Sequence, residues 1–407
     1  MAATEWETRR ARFVVRRVDV RGADAPLASA TKAGVSLRED LEISVWNPES
    51  DVSNYKLVEP DDFVVGLRSF QHGISHSTVR GLVSPAYTVL RCAPDLEPRY
   101  YKHYFRSSIL ISQLANITQG IRQGQTIDMD AFMDLPLLVP PIGEQQRIAD
   151  HLDTEVARID EVASARAHQV DLIDLQAAVL ITQTFEALTA EHGSIRLRYL
   201  TKGIEQGWSP QCEDRLAEPN EWGVLKAGCV NGGVFREDQH KTLSSGLTPR
   251  TEYAIKPGDL LMSRASGSVD LIGSAAVVPP GIRPLLLCDK VYRIRLENRC
   301  ATSEFVAVML RSHWNREHIK MRISGAEGMA NNLPISVVRD CEVPRVPVHE
   351  QTTATSGLNR QLSHLDDLRQ LMIRQGERLI ERRQALITAA VTGQFDVTTA
   401  RGAANVE

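Results

Sequence analysis

The sequence has no run approaching the roughly 18 apolar residues of a membrane span, and its start, MAATEWETRRARF, lacks the apolar core of a secretory signal. A cytoplasmic protein that avoids the membrane is expected. The six cysteines, Cys92, Cys212, Cys229, Cys288, Cys300 and Cys341, never form CxxC or stand beside a metal-type histidine pair. That speaks against both a zinc site and a disulfide framework, and leaves buried thiols as the simplest reading. Catalytic signatures are missing as well: there is no Asn/Asp-Pro-Pro-Tyr/Phe run of an amino-methyltransferase, no GxxxxGKS/T phosphate loop and no HExxH. The chain carries no legible chemistry, so no catalytic residue, metal or cofactor is expected in it.

What is present is a chain of 407 residues, 43% hydrophobic and 24% charged, long enough for two or three domains with real cores. The net charge of −4 is unevenly spread. Lysine plus arginine against aspartate plus glutamate stands at 16 to 17 over 1–143, 3 to 9 over 144–190, 21 to 18 over 191–349 and 7 to 7 over 350–407. The acidity therefore lies mostly in one segment, which should avoid a phosphate backbone. The larger regions keep room for local basic faces.

That acidic segment opens with EQQRIADHLDTEVARID, and it has a partner when the sequence is laid on itself at a separation of 206 residues. Glu144-Gln145 then falls on Glu350-Gln351. The column Leu152, Ile159, Arg166, Ile173, Leu180 falls on Leu358, Leu365, Met372, Leu379, Leu386, each step being seven residues. Val156, Val162 and Val170 in the first copy, and Leu362, Leu368 and Leu371 in the second, are expected to widen each stripe. Neither copy contains proline, and at about 1.5 Å per residue each rod of about 45 residues would be roughly 65 Å long.

Two unrelated amphipathic helices buried in different domains would be the blander explanation. The register match favours one antiparallel two-helix coiled coil, with Arg166 and Met372 near each other at mid-column. There a charged core residue would cost stability while fixing register.

The regions before the rods echo one another too. LPLLVPPIGEQ (135–145) answers to CEVPRVPVHEQ (341–351), each an extended entry into a helix. EPDDFVVGLRS (59–69) answers to KPGDLLMSRAS (256–266), a Pro-x-Asp turn before a β-rich run, and SPAYTVLR (84–91) to DKVYRIRL (289–296). RYYKHYFRSSILISQL (99–114) and SEFVAVMLRSHWNREHI (303–319) are helical in pattern and share Arg106-Ser107 and Arg311-Ser312; GIRQGQTI (120–127) and GAEGMANNLP (325–334) are polar glycine loops. The expected fold is α+β: two α/β domains joined by two long helices in an antiparallel coiled coil, a pseudo-twofold internal repeat. Its segments are 1–143, first domain; 144–190, first spacer helix; 191–349, second domain; 350–395, second spacer helix; and 396–407, tail.

With these residues in view, together with EWGVLKAGCVNGGVF (221–235), KPGDLLMSRASG (256–267) and RRQALITAAVTGQFDV (382–397), the chain resembles the specificity subunit of a type I restriction-modification system across nearly all of its length. The resemblance implies two target-recognition domains, each reading half of an interrupted site in double-stranded DNA, with the helices as a ruler. It implies two methyltransferase subunits and restriction or translocase subunits as partners. S-adenosylmethionine, ATP and magnesium would belong to those partners. The rods are the implied docking surface, and the change from Arg147-Ile148-Ala149 to Thr353-Ala354-Thr355 makes that docking less symmetrical than the repeat.

Candidate DNA contacts are the polar loops and strand ends that recur in both halves, because Arg pairs with guanine and Asn or Gln with adenine. In the first half these are Arg68, Ser69, His72, Arg122, Gln123 and Gln125. In the second they are Arg264, Ser266, Arg322, Asn331 and Asn332. For any one of them a helix cap or a phosphate contact is an equal alternative. Aligning Pro60 with Pro257 sets Arg264 opposite Leu67, so equivalence of Arg68 and Arg264 needs a bulge.

Three features resemble sites without the context of one. His72 and His76 are spaced for a metal but read as a polar loop; Tyr100, Tyr101, Tyr104 and Phe105 could stack bases but read as a core face; PDLEPRYYK offers no credible metal pair. The rival functions are a protein-only coiled-coil adaptor without DNA specificity and, less favoured, a self-contained nuclease or methylase.

Overall fold

The computed structural model describes residues 6–41, 52–119, 126–297, 299–323, 331–395 and 397. It is a mixed helix-and-sheet chain with two long helices, Ile142–His192 and Val348–Val391. No helix among the described residues is long and apolar enough to cross a membrane. Backbone contacts divide the chain into two units, 1–167 with 373–407, and 168–372.

The first unit is built on an antiparallel sheet in the order Val15–Val18, Thr88–Cys92, Phe63–Val65, Ser75–His76. Alternation sends successive side chains to opposite faces. Phe63, Val65 and Leu90 enter a core with the helical residues Tyr100, Tyr101 and Phe105, whereas Val64 and Val89 pack behind the sheet against Val58 and Val83. With both faces covered, the strand reads as an unbroken apolar run. The four aromatics from Tyr100 to Phe105 are core residues, and the Tyr100 hydroxyl donates to the Val391 carbonyl at 3.0 Å.

The second unit has a sheet of the same order, Thr201–Gln206, Val291–Leu296, Leu260–Ser263, Ala275–Val277. Leu260, Met262 and Ile294 face a helical core, while Leu261, Ala276 and Val291 face a second four-stranded sheet. All four buried cysteines are packing groups; burial raises the Cys92 thiol to about 12 and Cys288 to about 11.

The two units repeat at atomic detail. The Pro-x-Asp turn reaches positive φ at Asp61 (66°) in one and Gly258 (85°) in the other. In each the following aspartate caps it: Asp62 Oδ2 accepts the Glu59 N–H and Asp259 Oδ2 the Lys256 N–H, both at 2.9 Å. Asp62 also holds Arg91 through two hydrogen bonds of 2.6 and 2.7 Å. Arg293, itself buried, reaches Glu205 at 2.6 Å and Asp259 at 3.4 Å.

The recurrent Glu-Gln has a structural cause. Gln145 Oε1 accepts the N–H of Glu97, and its Nε2 donates to the Pro140 carbonyl. Gln351 Oε1 accepts the N–H of Thr302, and its Nε2 donates to Val346 and Cys300. Glu97 and Thr302 are the N-caps of Pro98–Tyr104 and Ser303–Met309. Each glutamine thus staples the start of a long helix to a short helix of its own unit, supplying an acceptor to an N–H group that the helix leaves unpaired.

Each stretch expected to be helical is two helices, Pro98–Tyr104 with Ser108–Asn116, and Ser303–Met309 with His313–Lys320. The Arg-Ser step breaks each, since Ser107 adopts an extended backbone and caps the second helix. The N–H of Ser108 then donates to Thr388 Oγ1 at 3.2 Å, and that of His313 to Thr182 Oγ1 at 3.0 Å.

Within the first unit Ile148, Leu152 and Val156 share a core with Ile387 and Val391, and Asp160 pairs with Arg383 at 2.9 Å. Within the second, Ile181 and Phe185 share a core with Leu358, and Asp174 pairs with Arg369 at 2.9 Å. His192 approaches Glu350 to 4.0 Å, so residue numbers rise along one helix as they fall along the other.

Leu152, Ile159, Leu358 and Leu365 of the heptad column are buried, and Arg166, Ile173, Leu180, Met372, Leu379 and Leu386 are half-buried. Of the widened stripe Val156 is buried and Val170 and Leu362 are half-buried, whereas Val162, Leu368 and Leu371 are corrected, being 39%, 37% and 41% exposed. Two helices cover only a narrow seam, which leaves flanking positions open. Arg166 belongs to the first unit and Met372 to the second.

Candidate nucleic-acid interface

In the first unit, the strand Phe63–Val65 runs out of the sheet into Gly66 and a single helical turn, Ser69–His72. Gly73 ends the turn at φ 81°, where an added Cβ would meet the Phe105 carbonyl, so only glycine fits. This turn borders a cavity of about 360 Å³ lined by Arg68, Ser69 and His72, with Thr31, Lys32 and Tyr87 across from them. Arg68 and His72 are exposed, while Ser69 is buried and its hydroxyl accepts the Gly66 N–H at 2.9 Å. Ser69 is therefore a turn cap.

Sequence reasoning missed Lys32, Thr31 and Tyr87. Lys32 stands in the turn between the paired strands Ala28–Ala30 and Val35–Leu37. Thr31 shapes that turn by donating to the Gly34 carbonyl at 2.9 Å, and Ser75 ties it to the sheet by donating to the Thr31 carbonyl at 3.0 Å. A Thr-x-x-Gly turn was the only local signal, and nothing in it pointed toward Arg68.

His72 and His76 part company. His76 turns inward, its Nε2 3.0 Å from Asp61 Oδ1 and its ring 5.2 Å from Phe63. Burial holds the His76 pKa below its usual value, against the pull of Asp61. Among the described residues no group of three or more His, Cys, Asp or Glu could hold a metal ion.

In the second unit the strand corresponding to Phe63–Val65 continues differently. Leu260–Ser263 is followed by Ala265–Ser266, which pairs with Asn331–Asn332, setting Ser266 opposite Asn331 and Ala265 opposite Asn332. Three candidates, Ser266, Asn331 and Asn332, are thus brought onto one short ladder, with Arg264 immediately before it. Arg264 is itself committed: its Nη1 donates to the Asp289 carbonyl at 3.1 Å, its guanidinium lies 6.0 Å from the Tyr292 ring, and its carbonyl accepts the Leu333 N–H. Where the first unit has a helical turn the second has a strand, so Arg68 and Arg264 occupy different local structures.

Arg322 lies exposed just beyond the helix His313–Lys320, its Nη1 3.3 Å from the His318 carbonyl. Arg122, Gln123 and Gln125 lie outside the described residues.

No family model matches the chain. It is 25% identical over 198 residues to the type I restriction enzyme EcoEI specificity subunit of Escherichia coli, covering 48% of this chain and 33% of that one. It is 21% identical over 374 residues to the EcoKI specificity subunit of Escherichia coli (strain K12), covering 86% of this chain and 78% of that one. Its relatives are type I restriction enzyme specificity subunits. The StySPI specificity subunit of Salmonella potsdam is 21% identical over 366 residues, with the same 86% and 78% coverage. Thus the chain spans about a third of the EcoEI specificity subunit and over three quarters of the other two. A solved chain described with the complex assembly and conformational transition of the type I R-M system superposes with a TM-score of 0.66 at 15% identity, over 96% of this chain and 98% of that one. That likeness is one of fold.

Proposed function

We propose that this chain is the non-catalytic DNA sequence-recognition subunit of a type I restriction-modification complex. Each unit reads one half of a bipartite site, and the two long helices form an antiparallel coiled coil that sets the gap between the halves. The observation that carries this reading is the duplication: two sheets of one strand order, each followed by a long helix stapled by a buried glutamine.

In this reading Arg68 and His72 in the first unit, and the ladder of Ser266, Asn331 and Asn332 in the second, meet DNA. The coil is the scaffold for two methyltransferase subunits and for restriction subunits, and S-adenosylmethionine, ATP and magnesium belong to those partners. Exposed Leu172, Leu175 and Val179 on the first long helix suit such docking.

The test is a fluorescence titration of the full chain with a random duplex over a range of salt, followed by mapping of methylated adenines in the host genome. Salt-dependent binding and a two-part methylated site are expected. Absence of duplex binding at low salt, alone or with the methyltransferase, would leave the protein-only adaptor as the better account.

A further inference from the structure

We propose that the cavity beside Arg68 is a phosphate site, in which Lys32, Arg68 and His72 grip the DNA backbone of the first half-site without reading its bases. The inference rests on the DNA-recognition reading above and assigns this part of it a role.

The lining of the cavity includes the cations of Lys32 and Arg68, the imidazole of His72 as a hydrogen-bonding group, and no carboxylate. None of the three has a side-chain partner among the described residues, whereas four other arginines of the unit are neutralised: Arg17 by Asp130, Arg21 by Asp19, Arg91 by Asp62 and Arg99 by Asp150. An uncompensated cluster of one sign around a concavity attracts an anion.

The threonine and serine hydroxyls of the lining serve their own turns, which leaves Tyr87 as the other hydroxyl there. Thr31 gives its proton to the Gly34 carbonyl and Ser75 to the Thr31 carbonyl, while Ser69 accepts the Gly66 N–H. The commonest specific base contact is a bidentate pair from a side chain held in one geometry. Here the positive groups come from two separate turns and stand exposed, which suits a charge contact with an oxygen of the backbone. An open cavity rimmed by exposed side chains also fits the edge of a polymer better than an enclosed small anion. In the second unit Arg264, which follows the matching strand, is instead held by the Asp289 carbonyl and the Tyr292 ring.

The experiment uses the full chain and two duplexes, one random and one carrying the methylated site, titrated over a salt series. Lys32→Ala and Arg68→Ala should each flatten the dependence of log K on log salt by about 0.9, as loss of one phosphate contact does. The loss should be equal on both duplexes, and Arg68→Lys should restore the slope because it keeps the charge without the planar fork. Melting temperatures should not move, since both side chains are exposed.

Unchanged slopes in the variants, with normal wild-type binding, would overturn the phosphate site and leave the DNA-recognition reading intact. A loss confined to one base position would reassign Arg68 to base reading. Titration of inorganic phosphate into the chain alone separates the remaining source: phosphate binding abolished by the variants, with DNA slopes unchanged, would make this a free-anion site and overturn the backbone role. A wild-type chain indifferent to duplex at low salt would defeat both proposals.

Discussion

Gln145 Oε1 lies 2.9 Å from the backbone nitrogen of Glu97, 48 residues earlier in the chain, and the Gln351 Oε1 to Thr302 nitrogen distance is the same. Both glutamines are buried, at 1% and 2% exposure. Replacing either with leucine removes an acceptor and a donor and strands their backbone partners. We expect Gln145→Leu and Gln351→Leu each to lose about 1–3 kcal/mol of stability in urea unfolding. A loss in one variant alone would mean that the two staples are not equivalent.

The Asp62 carboxylate has no exposed surface, and Arg91 is its ionic partner at 2.6 Å. Arg91→Ala should therefore destabilise the first unit by about 3 kcal/mol, the scale for leaving a buried charge uncompensated. Adding Asp62→Asn should recover part of that. Equal stability of Arg91→Ala and wild type would refute the coupling.

Stability should fall with acidity in two stages. Burial depresses His76 and His103, outweighing the opposing pull of Asp61 and Asp153 respectively. Below about pH 6.5 the unfolded chain takes up protons that the folded histidines refuse, so the urea midpoint should begin to drop there. Burial acts to raise Asp153, yet hydrogen bonds from His103 and Lys102 hold it well below the usual carboxylate range. Its contribution is complete above the unfolded value near pH 4 and is lost on further acidification. A midpoint constant from pH 7.5 to 5.5 would contradict the first stage.

Deleting one heptad from each long helix should shift the preferred gap between half-sites while leaving the half-sites themselves unchanged. Methylation mapping in cells carrying the shortened chain reads this directly. Loss of both half-site preferences would count against a ruler.

Ser266→Ala and Asn331→Ala remove polar groups from opposite positions of one ladder. Both should relax discrimination in a single half-site, by about 1–3 kcal/mol at a directly read base. The measurement is competition binding among duplexes that differ at one position.

The parts of this fold legible in the sequence are those with long periods. The separation of 206 residues exposes the two long helices, because a heptad pattern repeats over many turns and needs no tertiary partner to be seen. Glu144-Gln145 and Glu350-Gln351 were visible as a recurrence, but the glutamine's task was not: Glu97 and Thr302 are distant in sequence, and a buried hydrogen bond leaves no periodic trace. The exposure of Val162, Leu368 and Leu371 was missed because a hydrophobic stripe does not state how many helices cover it. The cavity was half-readable. Arg68 and His72 stood in a polar loop, but Lys32 reaches them only through pairing of three-residue strands, which are too short to announce their register.

Synthesis of this chain has a built-in delay. Residues 168–372 form their unit from one continuous stretch, whereas the unit containing the amino-terminal sheet waits for Ile387 and Val391 to leave the ribosome. At roughly 5–20 residues per second, the interval between residues 167 and 391 is on the order of 10–45 s. Through that interval the surface that Val391 will cover, next to Tyr100, stays bare. The half made first is thus the half finished last.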